Sequence, residues 1–145
     1  MWAVVLVADV EFKDYSINVK NVLKETAISF LQEAGDEIVS QVARNYDSAG
    51  RVKTGQTKGS FDTKVDSVGL EATVGSTYQN AIWEEYGTGI YAESGGRQTP
   101  WKYQDKTTGQ WYTTRGKTGH RPFFKAWNEK KSQIIEAAKA RFSGL

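Results

Sequence analysis

Gly87-Thr88-Gly89 is the first candidate for chemistry, because closely spaced glycines can turn backbone N–H groups toward a phosphate. The segment lacks the lysine and the spacing of a P-loop, and it does not complete a G-x-G-x-x-G pattern. A helix end followed by a turn is the simpler prediction for these three residues.

Asp9, Glu11 and Lys13 alternate as the members of a D-x-E-x-K metal-dependent nuclease cluster would. Such an enzyme needs further acidic ligands in a defined geometry, which the sequence does not indicate. Three charges on a solvent-facing strand edge also discourage edge-to-edge aggregation. We favour that interpretation and expect no metal site.

His120 is the only histidine, so a site built from several histidines is excluded. If it lay beside Glu84 or Glu85, its imidazole could act as a general acid or base. A loop position next to Arg121 is the simpler prediction. We therefore favour a non-catalytic role for this histidine.

The composition predicts one domain, since the chain has 145 residues. Cysteine is absent, which excludes disulfides, thiolate metal sites and cysteine nucleophiles and fits a reducing compartment. The apolar run from Trp2 to Ala8 is too short to span a membrane and has no basic residue before it. It predicts a buried strand and no membrane association.

The hydrophobic pattern predicts two long helices and several short strands. Apolar residues at spacings of three and four predict a helix from Asn18 to Tyr46. Pro122 suits the first position of a last helix. The other predicted elements are a short helix at Tyr78 to Tyr86 and strands at Trp2 to Phe12, Phe61 to Val68, Leu70 to Val74, Trp101 to Tyr103 and Trp111 to Thr113.

We expect the core to join the two long helices to the sheet. The side chains predicted to be largely buried are Phe30, Leu31, Ile38, Val65, Val74, Ile82, Trp127, Ile134 and Ile135.

The segment from Arg97 to Lys125 concentrates positive charge and aromatic rings. It contains seven basic residues and one acid, Asp105. Because the whole chain carries +2 and this segment +6, the remainder carries −4. Its interleaved aromatic and basic side chains could stack on bases and contact phosphates. They could equally form a protein interface, or a solvated hairpin, and the sequence leaves these three interpretations open.

Several short motifs, in order, resemble those of the head–tail joining (tail-completion or neck) proteins of long-tailed bacteriophages and prophages. The resemblance covers roughly Asn18 to Phe142. The matching motifs are Val52-Lys53-Thr54-Gly55, Glu85-Tyr86-Gly87-Thr88-Gly89, Thr99-Pro100-Trp101, Gly109-Gln110-Trp111 and Arg121-Pro122-Phe123-Phe124.

The resemblance implies an α+β fold: a small antiparallel sheet packed by a long N-terminal helix and a C-terminal helix, with a projecting β-hairpin. It implies a structural virion protein of the neck, assembled in the host cytoplasm, with no enzyme activity and no cofactor. The expected assembly is a homo-oligomeric ring, a hexamer or dodecamer, that leaves a channel for DNA. The expected partners are the head-closure or connector protein and the tail-tube or tail-terminator protein.

The hairpin is the expected interface, because Trp, Tyr and Arg are the residue types that anchor protein contacts. Its candidate contact residues are Trp101, Tyr103, Trp111, Tyr112 and Arg115. The alternative function is a small nucleic-acid-binding protein that uses the basic aromatic segment 97–125. Its candidate DNA contacts are Lys102, Lys106 and Lys117.

Overall fold

The structure, a computed structural model, describes residues 2–7 and 17–144, with side chains described from residue 21 to residue 144. The predicted first strand is present over Trp2–Val7. Its predicted continuation to Phe12 lies outside the described residues, as do Asp9, Glu11 and Lys13.

The described residues form an α+β fold, which confirms the expected class. In chain order the elements are β1 (Trp2–Val7), α1 (Ile17–Ser48), β2 (Phe61–Asp66), β3 (Glu71–Ser76), α2 (Gln79–Tyr86), β4 (Trp101–Gln104), β5 (Trp111–Thr114) and α3 (Pro122–Ser143). Single 3₁₀ turns lie at Lys58–Ser60 and Gly89–Tyr91.

Two antiparallel sheets organise the strands. The first has the order β1-β3-β2, with Val4 opposite Val74 and Thr63 opposite Val74 on the other side. Strands β4 and β5 form a separate two-stranded sheet, the expected hairpin. Helices α1 and α3 pack against each other, and α1 also covers β2 and β3.

The core lies between α1, the three-stranded sheet and α3. Strand β2 follows the predicted alternation, since Phe61 and Thr63 are buried while Asp62 and Lys64 are exposed. Gly35 in α1 is the point of closest approach, because a Cβ there would overlap the Thr63 side chain. The glycine that weakens α1 as a helix therefore lets the sheet pack closely against it.

The predicted core is confirmed at Phe30, Leu31, Ile38, Val74 and Ile134, which are all buried, while Val65 and Trp127 are half-buried and pack against it. It is wrong at two positions, because Ile135 is 52% exposed and Ile82 is 39% exposed. Adjacent residues of a helix point in different directions, so a helix that packs on one side buries only one of two neighbours. In α3 the buried neighbour of Ile135 is Ile134, and in α2 the buried neighbour of Ile82 is Ala81.

Candidate interface around the projecting hairpin

Strand register divides the candidate contact residues between two faces of the hairpin. Trp101 lies opposite Thr114 and Tyr103 lies opposite Tyr112, so these four side chains share the inner face. Lys102 lies opposite Thr113 and Gln104 opposite Trp111, so these four share the outer face. The sequence could not assign the two tryptophans to different faces, because that assignment requires the register between the strands.

The inner face and helix α2 enclose an aromatic groove of about 480 Å³. Trp83 of α2 lies on one side, and Trp101 and Tyr103 lie on the other. Tyr103 stacks on Tyr112 with ring centroids 5.7 Å apart, a cross-strand pair that stabilises the hairpin. Arg97 lies over the Trp101 ring at 5.6 Å. The inner rings are therefore held in place before any partner binds.

The outer face carries the most exposed aromatic side chain among those described. Trp111 is 65% exposed, and Lys102 shares its face. Exposed tryptophans are among the residue types that anchor protein contacts. Trp111 is the most exposed aromatic residue among the candidate contact residues.

Glycines pin the base of the hairpin to the end of α2. Gly87 ends α2 with φ +81°, and Gly89 has φ +61°. A Cβ at Gly89 would overlap the carbonyl oxygen of Arg115, and a Cβ at Gly116 would overlap that of Thr88. The close approach allows the Thr88 N–H to donate to Lys117 O at 2.9 Å and the Ile90 N–H to Arg115 O at 3.0 Å. Gly-Thr-Gly is therefore a packing device, which fits the predicted helix end and turn.

Glu85 joins α2 to the start of α3. Its side chain is buried, and its two carboxylate oxygens accept hydrogen bonds from the backbone N–H groups of Phe123 at 3.0 Å and Phe124 at 2.9 Å. These are among the N–H groups that a helix leaves unpaired at its first turn. Arg121, just before Pro122, has the left-handed conformation that turns the chain into α3.

A second buried carboxylate, Glu84, contacts two cations and a histidine. It pairs with Lys117, with Arg51 at 3.3 Å, and with His120 Nε2 at 3.0 Å, although the His120 ring N–H is poorly aligned for a hydrogen bond. Burial by itself would raise the pKa of Glu84, but His120 and Lys117 outweigh it and lower this pKa to about 2. From the sequence, His120 beside Glu84 could act as an acid or base. The structure does place them together, and Glu84 also pairs with Lys117 and Arg51.

An ion pair connects the tip of the hairpin to the segment after α1. Lys53 pairs with Asp105, and the backbone N–H of Thr107 donates to the same carboxylate at 2.7 Å. The Lys53 hydrogen bond, followed by that of Thr107, lowers the pKa of Asp105 to about 2. The Asp105 side chain thus both shapes the turn and anchors it to the body.

The candidate DNA contacts differ in how free their charges are. Lys102 and Lys106 are exposed, and neither has a carboxylate within ion-pair distance in the described part of the chain. Lys117 is turned inward to Glu84 and also donates to Asn80 Oδ1 at 3.2 Å. Arg115 is exposed at the base of β5.

Sequence reasoning missed the residues that surround the hairpin. Trp83 forms one wall of the aromatic groove, and Arg51 and Lys53 bring the segment after α1 to the hairpin. Of these residues, only Trp83 could have been suspected from the sequence, because it lies beside Glu84 and Glu85 in a segment rich in apolar and acidic residues. The pairing of Lys53 with Asp105 spans 52 positions, and nothing in the local pattern indicates it.

In residues 21–144, no cluster of three or more His, Asp or Glu side chains is arranged to hold a metal ion. No helix of the described ranges combines the length and apolar character needed to cross a membrane. Comparison with family models, curated proteins and solved structures finds no match for this chain.

Proposed function

We propose that this protein is a structural component of the bacteriophage neck that joins the DNA-filled head to the tail. In this proposal it is not an enzyme, and it forms a homo-oligomeric ring that leaves a channel for DNA. It lies between the head-closure or connector protein and the tail-tube or tail-terminator protein. Its final location is the virion, after assembly in the host cytoplasm.

One observation carries the proposal: two of the motifs that resemble those of the neck family, Glu85 to Gly89 and Arg121 to Phe124, meet at the base of an aromatic hairpin. Glu85 of the first motif caps the helix that the second motif opens. Gly89 of the first motif lies against the strand end at Arg115. Residues of the motifs that resemble the neck family thus hold the base of the hairpin at a fixed place on the body, as a docking element requires.

The distribution of charge favours a protein partner over nucleic acid for the hairpin. Three of the seven basic residues of segment 97–125 are engaged within the molecule: Arg97 over Trp101, Lys117 with Glu84, and Arg121 with Glu93. Nucleic-acid binding draws most of its affinity from cations that are free to neutralise phosphates. Exposed aromatic rings, in contrast, anchor protein interfaces without a large net charge.

Replacing Trp111 by Ala tests the proposal in the phage or prophage that encodes the chain. We expect filled heads and finished tails to accumulate unjoined, because the most exposed described anchor of the hairpin is lost while the core is untouched. The matched control is Ile135→Ala, which removes a similarly exposed apolar side chain from α3. Normal joining by the Trp111 variant, or equal loss in both variants, would argue against the hairpin as the docking element.

The alternative, a nucleic-acid-binding protein, is favoured by one feature of the outer face: Lys102 and Trp111 are both exposed and lie diagonally across the two strands. A cation beside a ring that can stack on a base is typical of single-strand binding. The purified protein would then bind DNA with an affinity that falls steeply with salt, and reversing the charges of Lys102, Lys106 and Arg115 would abolish that binding. Joining of heads and tails would survive the same reversal.

A further inference from the structure

A second groove, distinct from the aromatic one, lies between segment 51–58 and the tip of the hairpin, and we call it the basic groove. Its volume is about 450 Å³. Two carboxylates line it, those of Glu84 and Asp105. The lining cations are Arg51, Lys53, Lys58, Lys106 and Lys117. Lys58 is also paired with Asp47, which does not line the groove. Five cations against three carboxylates leave an excess of two positive charges at the groove.

The floor of the basic groove holds a polar atom with no partner in the described residues. Tyr46 lines the groove and is almost fully buried, and its hydroxyl makes no hydrogen bond there. A buried hydroxyl without a partner costs free energy that an incoming acceptor would recover. Together with the positive excess, this hydroxyl suits a ligand that carries carboxylate or phosphate oxygens.

The turn between β2 and β3 has the opposite character, and we call residues 66–71 the acidic turn. Asp66 lies directly opposite Glu71 in the strand register, a like-charged pair that destabilises a hairpin. Neither carboxylate has a cation within ion-pair distance among the described side chains. Val68 at the tip is 87% exposed. Two unpaired charges and an exposed apolar tip suit a contact with another molecule.

The two features lie at opposite ends of β2. Ser60, which precedes β2, bonds to Ser76 beside segment 51–58, and β2 then runs to Asp66 at the acidic turn. Six residues of strand separate the ends by roughly 20 Å. Complementary surfaces at opposite ends of one molecule produce a head-to-tail contact, which closes into a ring when the rotation between copies allows it.

We infer that the acidic turn of one copy docks in the basic groove of the next copy. The inference rests on the proposed function, since it assigns the surfaces by which the ring forms. Asp66 and Glu71 would meet the positive excess of the groove, which relieves their mutual repulsion. The uncompensated charge is local: Lys106 has no carboxylate partner among the described side chains, and Glu84 alone faces both Arg51 and Lys117. A short acidic turn matches such a small excess. A continuous nucleic-acid backbone would need a row of free cations instead.

Cysteine cross-linking tests the contact directly, because the chain has no cysteine of its own. A Val68→Cys variant is mixed with a variant that carries Thr107→Cys, an exposed uncharged residue of the groove, under oxidising conditions, and linked peptides are identified by mass spectrometry. A disulfide forms only where the two Cβ atoms approach within about 4.5 Å. We expect several-fold more mixed dimer than from Val68→Cys with the exposed control Ile135→Cys. Equal yields from the two mixtures would overturn the inference.

Charge reversal tests the contact a second way, because two variants that each lose self-association should recover it when they are mixed. One variant, Asp66→Lys with Glu71→Lys, alters only the turn, and another, Lys58→Glu with Lys106→Glu, alters only the groove. Circular dichroism establishes that each is folded. We expect each variant alone to lose self-association in sedimentation at high protein concentration. An equal mixture should regain it, since each altered turn then meets an altered groove. No rescue on mixing would count against the docking pair.

The same variants separate this inference from nucleic-acid binding and from the proposed function. If the groove variant loses salt-dependent binding of a duplex oligonucleotide while self-association is unchanged, nucleic acid is the occupant and the inference fails. If self-association is unchanged in both variants but Trp111→Ala still blocks the joining of heads to tails, the ring uses other surfaces and the proposed function stands.

Discussion

Glu84 and Glu85 are adjacent and both buried, yet their pKa values move in opposite directions. Burial would raise the pKa of Glu84, but His120 and Lys117 lower it to about 2. For Glu85 burial dominates and raises the pKa, although the backbone N–H groups of Phe124 and Phe123 oppose that change. One carboxylate therefore holds the hairpin base through Lys117, and the other holds the start of α3.

Replacing Glu85 by Gln should destabilise the protein by about 1–3 kcal/mol, because a neutral amide has one acceptor oxygen for two N–H groups. Unfolding in urea, followed by circular dichroism, measures the change in the free energy of unfolding. Glu136→Gln, on the exposed side of α3, is the control and should change it by less than about 0.5 kcal/mol. Similar values for both variants would mean that Glu85 does not cap α3.

Glu84 predicts a pH dependence of stability with a definite sign. Because its folded pKa of about 2 lies below the ordinary value of 4.5, its contribution is complete above pH 4.5 and is lost as the pH falls through 2. The shift corresponds to roughly 3 kcal/mol, at about 1.4 kcal/mol per unit. The difference in unfolding free energy between wild type and Glu84→Gln should therefore shrink over that window. A difference that stays constant with pH would show that Glu84 is not held ionised by its neighbours.

At the scale of elements, the hairpin is a small sheet whose position depends on its base and its tip. The base lies against Gly87 and Gly89, and the tip is tied by the ion pair of Lys53 with Asp105. An isolated two-stranded hairpin is only marginally stable in water. These attachments therefore determine whether the hairpin keeps one orientation relative to the body of the protein.

Gly89→Ala and Gly109→Ala separate crowding from backbone strain. Both glycines have positive φ, +61° and +74°, so either substitution costs about 1–2 kcal/mol from conformation. At Gly109 nothing lies within 4 Å of the added Cβ, whereas at Gly89 it would overlap the Arg115 carbonyl. Thermal unfolding should show a clearly larger loss of stability for Gly89→Ala. Equal losses would contradict the close packing of the hairpin base.

Amide hydrogen exchange should distinguish the hairpin from the core. We expect the amides from Trp101 to Tyr112 to exchange quickly in the isolated protein and to slow on assembly. Base and tip are attached, but the two strands form a separate sheet whose middle has exposed aromatics and in which each strand has only one neighbouring strand. The central amides of α1, near Ile38, provide the slow reference. Protection of the hairpin equal to that reference in the isolated protein would argue against ordering on assembly.

Local patterns in the sequence were sufficient to predict the helices, the strands of both sheets, the end of α2 at Gly87 and the start of α3 at Pro122. They could not show that Ile134 is buried and Ile135 exposed. The apolar stripe of α3 is wider than the surface it packs against, so the pattern does not identify which of the two faces the core. They also could not assign Trp101 and Trp111 to opposite faces. The network around Glu84 joins residues distant in sequence, and such contacts follow from packing rather than from spacing.

At the scale of the whole molecule, a self-contained core lies between α1, the three-stranded sheet and α3, and the charged and aromatic features lie outside it. The outer face of the hairpin, the basic groove and the acidic turn can each be altered while the core is kept. Several separate surfaces outside the core are what the proposed role, a component that links neighbours in an assembly, would require.

The central claim is that this protein joins heads to tails, and add-back of purified protein tests it most directly. On the proposed function a phage or prophage encodes the chain, and particles are prepared from it after the gene is deleted. We expect filled heads and complete tails that remain separate, and that yield joined, infectious particles once the purified protein is added. Joined and infectious particles formed without the protein would contradict it.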